Sequence, residues 1–377
     1  MITWETYDNL KMILHKLNQL LLANEDYLPN WKDYSFFIEY QKEIRSFGEL
    51  LENSMELGRA KVVVALEEHC EHISRWINAS ADDKVKLWQN ILKDFEIILC
   101  ELARCCNKDV LSCCTIVRNE GEYIEEWLEY HLMVGVTKFF IYDNESTDGL
   151  YDILVPYIEK GIVVYQEWKG DKCQLSAYND AIARYKNQVG YIAFIDADEF
   201  IVPTEHVMLP ELILKIFAQN PEGEALGVNW RVYGSSGHIN KPKGLVIENY
   251  VYRDSDISEK NRHVKSIANS RWAEGFQGSS HCCMLHSNKR RISEYGTPLF
   301  GPFFTEGRCD KIRINHYYTK SKEEFVAKLN RGWPDQPHDK FLPEQIEYKF
   351  LKADMKSNEI EDRIMYRYLE DLKKKVK

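Results

Sequence analysis

Val110–Val117 reads VLSCCTIV, eight uncharged residues rich in apolar and β-branched side chains. A short run of this kind suits a strand buried on both faces. The pattern continues outward from it. Glu122–Met133 puts Ile124, Trp127, Leu128 and His131 on one side of a helix. KFFIY (Lys138–Tyr142) reads as a second strand, and DNESTDG (Asp143–Gly149) as a loop. Leu150–Glu159 is helical, GIVVYQ (Gly161–Gln166) a third strand, Gln174–Tyr185 helical, and YIAFID (Tyr191–Asp196) a fourth strand. Strands alternating with helices predict βαβ units, an α/β fold and a mainly parallel sheet with right-handed crossovers.

Before Val110 the apolar period is that of a helix. Leu10, Ile13, Leu14, Leu17, Leu20 and Leu21 recur at helical spacing, as do Tyr40, Ile44, Phe47, Leu50 and Leu51. Val85, Trp88, Ile91, Leu92 and Phe95 form a further set, with Asp82 and Asp83 suited to its first turn. An all-helical N-terminal domain of about four helices is expected over 1–109, with packing as its role and a homodimer as a compatible assembly. After Asp198 the order loosens. LGVNWRVYGSSGH and GLVIENYVYR suggest further strands around a Gly/Ser loop, Lys322–Arg331 a helix, and the residues from about Glu344 onward a last charged helix. The main domain is expected over 110–335 and a helical tail over 336–377.

Composition narrows the class. The chain has 377 residues, and 49 Lys plus Arg against 59 Asp plus Glu give a net charge of -10. A nucleic-acid binder usually carries a basic field, so that class is set aside. Ten cysteines could suggest a disulfide framework, but three of their pairs are adjacent in sequence and no secretory signal precedes them. Free thiols in a reducing compartment are expected, with Cys113 and Cys114 in the core. No apolar run reaches the ~18–20 residues that a membrane span needs. A cytoplasmic location follows, and the basic end DLKKKVK would suit peripheral contact with the inner face of an anionic membrane.

In an open parallel sheet, ligands bind beyond the carboxyl ends of the strands. The polar clusters fall there: Arg118-Asn119-Glu120, Asp143–Gly149, and Asp196-Ala197-Asp198-Glu199. Three carboxylates within four residues repel one another unless a cation neutralises them, and hard oxygen ligands suit Mg²⁺ or Mn²⁺. In an extended segment, Asp196 and Asp198 would point to one side. The expectation is a metal–diphosphate site. DNESTDG is not a calcium loop, because Asp148 and Leu154 stand where glycine and glutamate are needed. Gly234-Ser235-Ser236-Gly237 is not a nucleophile elbow, and no dinucleotide fingerprint or P-loop is present.

CTIVRNEGEYIEEWLEYHLMVGVTKFFIYDNESTDG, followed by FIDADEF, NWRVYGSSGH, GLVIENY and INHYYTKSKEEFVAKLNRG, resembles glycosyltransferase family 92 and its bacterial relatives. The resemblance covers about Cys113 to Arg331. It implies a GT-A (nucleotide-diphospho-sugar transferase) fold and inverting transfer from a UDP-sugar to a hydroxyl of a glycan or lipid-linked glycan, in capsule or cell-surface polysaccharide synthesis. Eukaryotic relatives suggest galactose. By position, Thr115, Val117, Arg118 and Glu120 would border the nucleotide and Asp143 the base edge. Asp196 would contact ribose or metal, Asp198 the metal, and His316 the metal or the diphosphate. Lys320, Lys328 and Arg331 would clamp the leaving diphosphate. Trp230 and the loop with Ser235, Ser236 and His238 would build the acceptor side. Glu274, Glu248, Asp254 and His281 are all candidates for the general base, and Glu274 is preferred. The competing classes are a nucleotidyl- or phosphotransferase on the same edge and a non-catalytic scaffold.

Overall fold

The computed structural model describes residues 3–22, 34–52, 59–106, 109–220, 222–286, 288–331 and 341–376. The chain divides into two compact units, one of 1–110 with 213–222 and one of 111–212 with 223–377.

The first unit contains α1 (Trp4–Leu22), α2 (Ser35–Glu52), α3 (Arg59–Ile77) and α4 (Ala81–Cys106). The helical spacing works as expected. Leu10, Leu14 and Leu17, Ile44 and Leu51, and Ile91 and Phe95 are all buried. Ser80 precedes α4, and its Oγ accepts from the Asp83 N–H while donating to the Asp83 carboxylate, which satisfies a donor the helix cannot pair itself. Several buried polar groups here are hydrogen-bonded to one another. Asp94 accepts from the Nδ1 of both His69 and His72, and the Tyr40 hydroxyl meets His69 Nε2 at 3.0 Å.

The second unit opens with β1 (Leu111–Val117), α5 (Gly121–Met133), β2 (Lys138–Asp143), α6 (Leu150–Glu159), β3 (Val163–Glu167), α7 (Gln174–Tyr185) and β4 (Tyr191–Phe194). Then come β5 (Glu199–Pro203), α8 (Leu209–Gln219), β6 (Gly223–Val232), α9 (Val246–Asn249), β7 (Tyr252–Arg253) and β8 (Val264–Asn269). The last elements are β9 (Ala273–Phe276), β10 (Cys283–Leu285), β11 (Arg290–Ile292), β12 (Ile312–His316), α10 (Lys322–Arg331), α11 (Pro343–Asp354), β13 (Ile360–Glu361) and α12 (Tyr366–Lys373). The end of α8 lies within the first unit.

The main sheet has the order β3-β2-β1-β4-β8-β6-β12-β5, with β11 beside β6. Pairs β1–β2, β1–β4, β2–β3, β6–β12 and β6–β11 are parallel. β8 runs antiparallel between β4 and β6, and β5 antiparallel to β12. All seven residues of β1 are buried, as its apolar run required. Cys114, Ile116, Phe140, Tyr142, Ile192 and Phe194 pack against α7 through Ala177, Tyr178 and Ala181. Cys113 and Cys114 are core thiols, and none of the ten cysteines is in a disulfide. The α/β class, the mainly parallel sheet of the GT-A expectation and the helical N-terminal region are as expected.

Three local readings are corrected. GLVIENYVYR is not one strand but a short helix, α9, followed by β7. Glu126 of α5 explains this: its two carboxylate oxygens accept the Val246 and Ile247 N–H groups and hold a helix start there. The last charged helix is two helices, broken after Asp354, where Asn358 and Ser357 turn back to bond Asp354 and Ala353. The segment after Asp198 holds a strand, β5, and a helix, α8, that composition did not reveal.

Candidate functional site

The carboxyl ends of β1, β2, β4, β6 and β12 share one edge of the sheet with the first residues of β5 and β8. Two polar loops on that edge are laced together. Asn119 N–H donates to Ser146 Oγ at 2.9 Å, and Asn119 Oδ1 accepts from Thr147 N–H at 2.7 Å. Gly121 N–H donates to Asp148 Oδ2 at 2.7 Å. Asp143 holds its own turn through Ser146 N–H and accepts the Tyr165 hydroxyl at 2.6 Å. Asn119 and Glu145 sit at φ 52° and 59°. Each carboxylate oxygen of Asp143 carries one bond and keeps capacity for another.

The acidic segment follows β4 as a turn, with the Glu199 N–H donating to the Asp196 carbonyl at 3.0 Å. It is not extended, so the argument that placed Asp196 and Asp198 on one side fails. The two carboxylates have separate partners. Asp196 accepts from Lys265 Nζ at 2.8 Å and from Gln174 Nε2 at 2.7 Å, with the Tyr178 hydroxyl at 3.3 Å. Asp198 accepts from Lys328 Nζ at 2.6 Å, and its Oδ1 lies 3.5 Å from His316 Nε2. Glu199 is fully buried, accepts the Asp196 N–H and lies 3.6 Å from Lys265 Nζ.

Burial alone would raise the pKa of Asp198, yet Lys328 and then His316 hold it well below the usual carboxylate range. Asp196 is lowered in the same way by Lys265. Glu199 moves the other way: burial pushes it up, and Lys265 offsets this only in part. Burial also lowers Lys320, although Glu120 and Asp198 favour its charge.

Lys320 and Lys328 converge beside Asp198. Lys320 lies over the Tyr123 ring at 3.3 Å from the centroid, and Lys328 over Tyr318 at 4.4 Å. With Asn119, Glu120 and Thr319 they line a cavity of about 240 Å³. Lys328 projects from α10, which starts at the expected residue. Arg331 ends that helix, and its side chain lies outside the described residues.

The residues fit a divalent cation in part. Asp198 and His316 are buried, and their facing atoms are too far apart for a good hydrogen bond. His316 Nδ1 and Glu199 Oε1 are buried and have no hydrogen-bond partner among the described residues. Among the described residues, no three His, Cys, Asp or Glu side chains are arranged to hold a metal. Two protein ligands would therefore leave the rest of the shell to phosphate and water, the usual magnesium arrangement.

Other expected residues lie elsewhere. Thr115 and Val117 are within β1, at 0% and 2% exposure. Arg118 and Glu120 do reach the edge, after β1. Ser235 gives its N–H and hydroxyl to the Asp354 carboxylate, and Ser236 Oγ accepts the N–H groups of Val251 and Tyr252. His238 packs edge-on to Tyr250. These groups anchor their loop to later segments. Glu274 lies exposed on the β9–β10 hairpin, 3.2 Å from His286 Nδ1. Trp230 is on the ligand edge, at the end of β6, stacked on His263 with His281 and His316 against it.

Lys265, Gln174 and Tyr178 were not singled out from sequence. A signal existed for Lys265: it is a lone charge in the apolar strand VKSIAN, and a buried lysine is rare unless paired.

Residues 108–289 match the model of glycosyltransferase family 92. A family 92 protein of Oryza sativa subsp. japonica is 30% identical over 155 residues, covering 41% of this chain and 26% of that protein. One from Arabidopsis thaliana is 28% identical over 234 residues, covering 59% of this chain and 38% of that protein. The chain thus spans between about a quarter and two fifths of the length of these relatives. Staphylococcus aureus TarS residues 1–349 superpose with a TM-score of 0.32 at 12% identity, over 64% of this chain and 71% of that one. No described helix is long and apolar enough to cross a membrane. Residues 108–289 of this chain are thus similar in sequence to glycosyltransferase family 92.

Proposed function

We propose that the chain is an inverting glycosyltransferase that moves a hexose, galactose as the first candidate, from a UDP-sugar to a hydroxyl of a glycan or lipid-linked glycan. Synthesis of cell-surface polysaccharide is the setting proposed for it. The observation that carries this reading is the convergence of Asp198, Lys320 and Lys328 on one cavity at the ligand edge, with His316 Nε2 3.5 Å from Asp198 Oδ1. A sugar leaves a diphosphate as negative charge builds on the departing oxygen. Positioned cations stabilise that charge most where water is excluded. Lys320 is buried, the Lys328 side chain is 17% exposed, and they supply two such cations. Asp198 and His316 are proposed as the protein ligands of Mn²⁺ or Mg²⁺, which when bound would neutralise the diphosphate. The laced loops at Asn119 and Asp143 would receive the nucleoside, with Asp143 accepting from the imide N–H of uracil. Asp196, held by Lys265 and Gln174, would face ribose.

The test is a panel of nucleotide sugars incubated with the full chain and Mn²⁺. UDP release is expected, and it should drop at least 100-fold in Asp198→Ala. Release of UMP or pyrophosphate instead would mark a nucleotidyl- or phosphotransferase. No UDP binding with metal, together with unchanged biological activity of Asp198→Ala, would leave only a scaffold role.

A further inference from the structure

The Asp198 cavity has a neighbour that the donor reading does not use. A second cavity, of about 560 Å³, lies between α5, α9, α10 and the end of α12. The two cavities share a wall: Glu122 and Tyr123 of α5, Lys241, and Glu324 of α10 line both. Hydrogen bonds fix that wall. Glu324 accepts the Tyr123 hydroxyl at 2.7 Å and the hydroxyls of Tyr250 and Ser321. The Lys241 N–H donates to Glu323 Oε2 at 2.8 Å, and Lys241 Nζ lies 4.7 Å from the centre of the Tyr123 ring.

The far side is held as firmly. Glu126 is buried and anchors the start of α9 through the N–H groups of Val246 and Ile247. Lys373 of α12 pairs with Glu248 of α9. Gly244, at φ +96°, leaves room for that carboxylate, because a Cβ there would lie 2.6 Å from Glu248 Oε2. Glu248, a candidate for the general base by sequence, lines this second cavity and not the one at Asp198.

The lining suits a neutral, hydroxyl-rich ligand. Two ion pairs, Glu122 with Lys241 and Glu248 with Lys373, are within reach of solvent, each partner being at least 28% exposed. A carboxylate next to an ammonium offers an acceptor beside a donor, and two adjacent hydroxyls of a pyranose satisfy both. Leu245 and Val376 add apolar surface for its C–H face. A phosphate gains no net attraction, since four Glu line the cavity against three Lys. Sugar transfer also needs the acceptor next to the donor yet clear of the groups that bind it. Resting on the glycosyltransferase reading, we infer that the second cavity is the acceptor subsite, which seats a neutral pyranose on the Glu248–Lys373 pair behind the wall it shares with the Asp198 cavity.

The experiment uses the full chain with UDP and Mg²⁺ and a panel of neutral methyl hexopyranosides, with a methyl hexuronide as the anionic control. Saturation-transfer NMR reads glycoside binding, and calorimetry reads UDP. Glu248→Leu removes the hydroxyl acceptor, and Val376→Trp fills the cavity from its C-terminal end. Neither residue lines the Asp198 cavity. The expected result is saturation of at least one neutral glycoside in the wild type, cut at least five-fold in both variants, with UDP affinity within two-fold throughout. Equal glycoside binding in the wild type and both variants overturns the inference, as does the absence of binding to any neutral glycoside. Stronger saturation of the hexuronide than of every neutral glycoside overturns it too. If UDP fails to bind while Glu248-dependent glycoside binding persists, the donor reading falls and the sugar site stands.

Discussion

Lys328 Nζ lies 2.6 Å from Asp198 Oδ2, which joins α10 to the acidic turn across 130 residues of sequence. Both side chains are largely buried, at 17% and 11% exposure. Removing one partner strands the other charge away from water, at a cost of about 3–5 kcal/mol. Lys328→Met is therefore expected to lower stability by that order and to weaken UDP binding at least ten-fold. Asp198→Asn should recover part of the stability in the Lys328→Met background, with a coupling of about 2 kcal/mol. Urea unfolding of the four members of the cycle measures it. Additive losses would mean that the pair does not act as a pair.

The parts of this site that could be read from sequence are those fixed by short-range pattern. The run Tyr191–Phe194 is a buried strand, so the polar residues after it had to lie at the sheet edge. Lys328 could be placed because α10 is helical by its own spacing. What escaped depends on partners far along the chain. Lys265 reaches Asp196 because β8 runs antiparallel beside β4, and nothing within either strand encodes that neighbour. The loop at Ser235 looked free to meet a ligand because its anchors, Asp354 and Asn358, come about 120 residues later. The β-rich composition of GLVIENYVYR lost to one buried carboxylate on α5.

That carboxylate, Glu126, gives a pH dependence. Burial raises its pKa to about 7, against the stabilising effect of the Val246 and Ile247 N–H groups. A raised folded-state value favours the protonated form of the native protein. Its contribution is thus fully present below about pH 4.5 and is lost as pH rises through about 7. The loss is about 3 kcal/mol at 1.36 kcal/mol per unit. Glu126→Gln should flatten this part of the stability–pH curve. It should also cost about 1–2 kcal/mol overall, because one of two backbone donors would then face an amide N–H. Urea midpoints from pH 4.5 to 8 for both proteins are the measurement. An unchanged slope in the variant would assign the dependence to another group.

Asp362 behaves in the opposite sense. It accepts from Arg253 Nε at 2.6 Å and Arg313 Nη1 at 2.8 Å, and ties the C-terminal segment to β7 and β12. Burial would raise its pKa, but Arg313 and then Arg253 hold it well below the usual range. A depressed folded-state value means stability that is present above the unfolded value, about 4, and lost as pH falls below it. Asp362→Asn is expected to cost about 3 kcal/mol at pH 7. The gap from wild type should narrow steadily as pH falls below 4. Paired denaturation curves at pH 7, 4 and 3 test this, and a gap that stays constant with pH would show that the ion pairs are not its source.

Gly234 follows β6 and faces the C-terminal segment. A Cβ there would fall inside van der Waals contact with the Ser357 carbonyl oxygen and the Asn358 side chain. Its N–H donates to the Tyr252 carbonyl at 3.0 Å, so the backbone cannot simply withdraw. Asn358 Oδ1 also holds the Ser236 N–H at 2.8 Å, and Ser357 is fully buried. Gly234→Ala must therefore displace Ser357 and Asn358, at a cost of about 1–3 kcal/mol for an overpacked site. Gly237 offers the contrast, because its φ is +80° but no atom lies within 4 Å of a Cβ placed there. Gly237→Ala would meet backbone strain alone and leave the C-terminal segment in place. Limited proteolysis should then release the residues after Asp354 sooner in Gly234→Ala than in wild type or Gly237→Ala. If both alanine variants release that segment equally fast, steric contact with Ser357 is not what fixes glycine at 234.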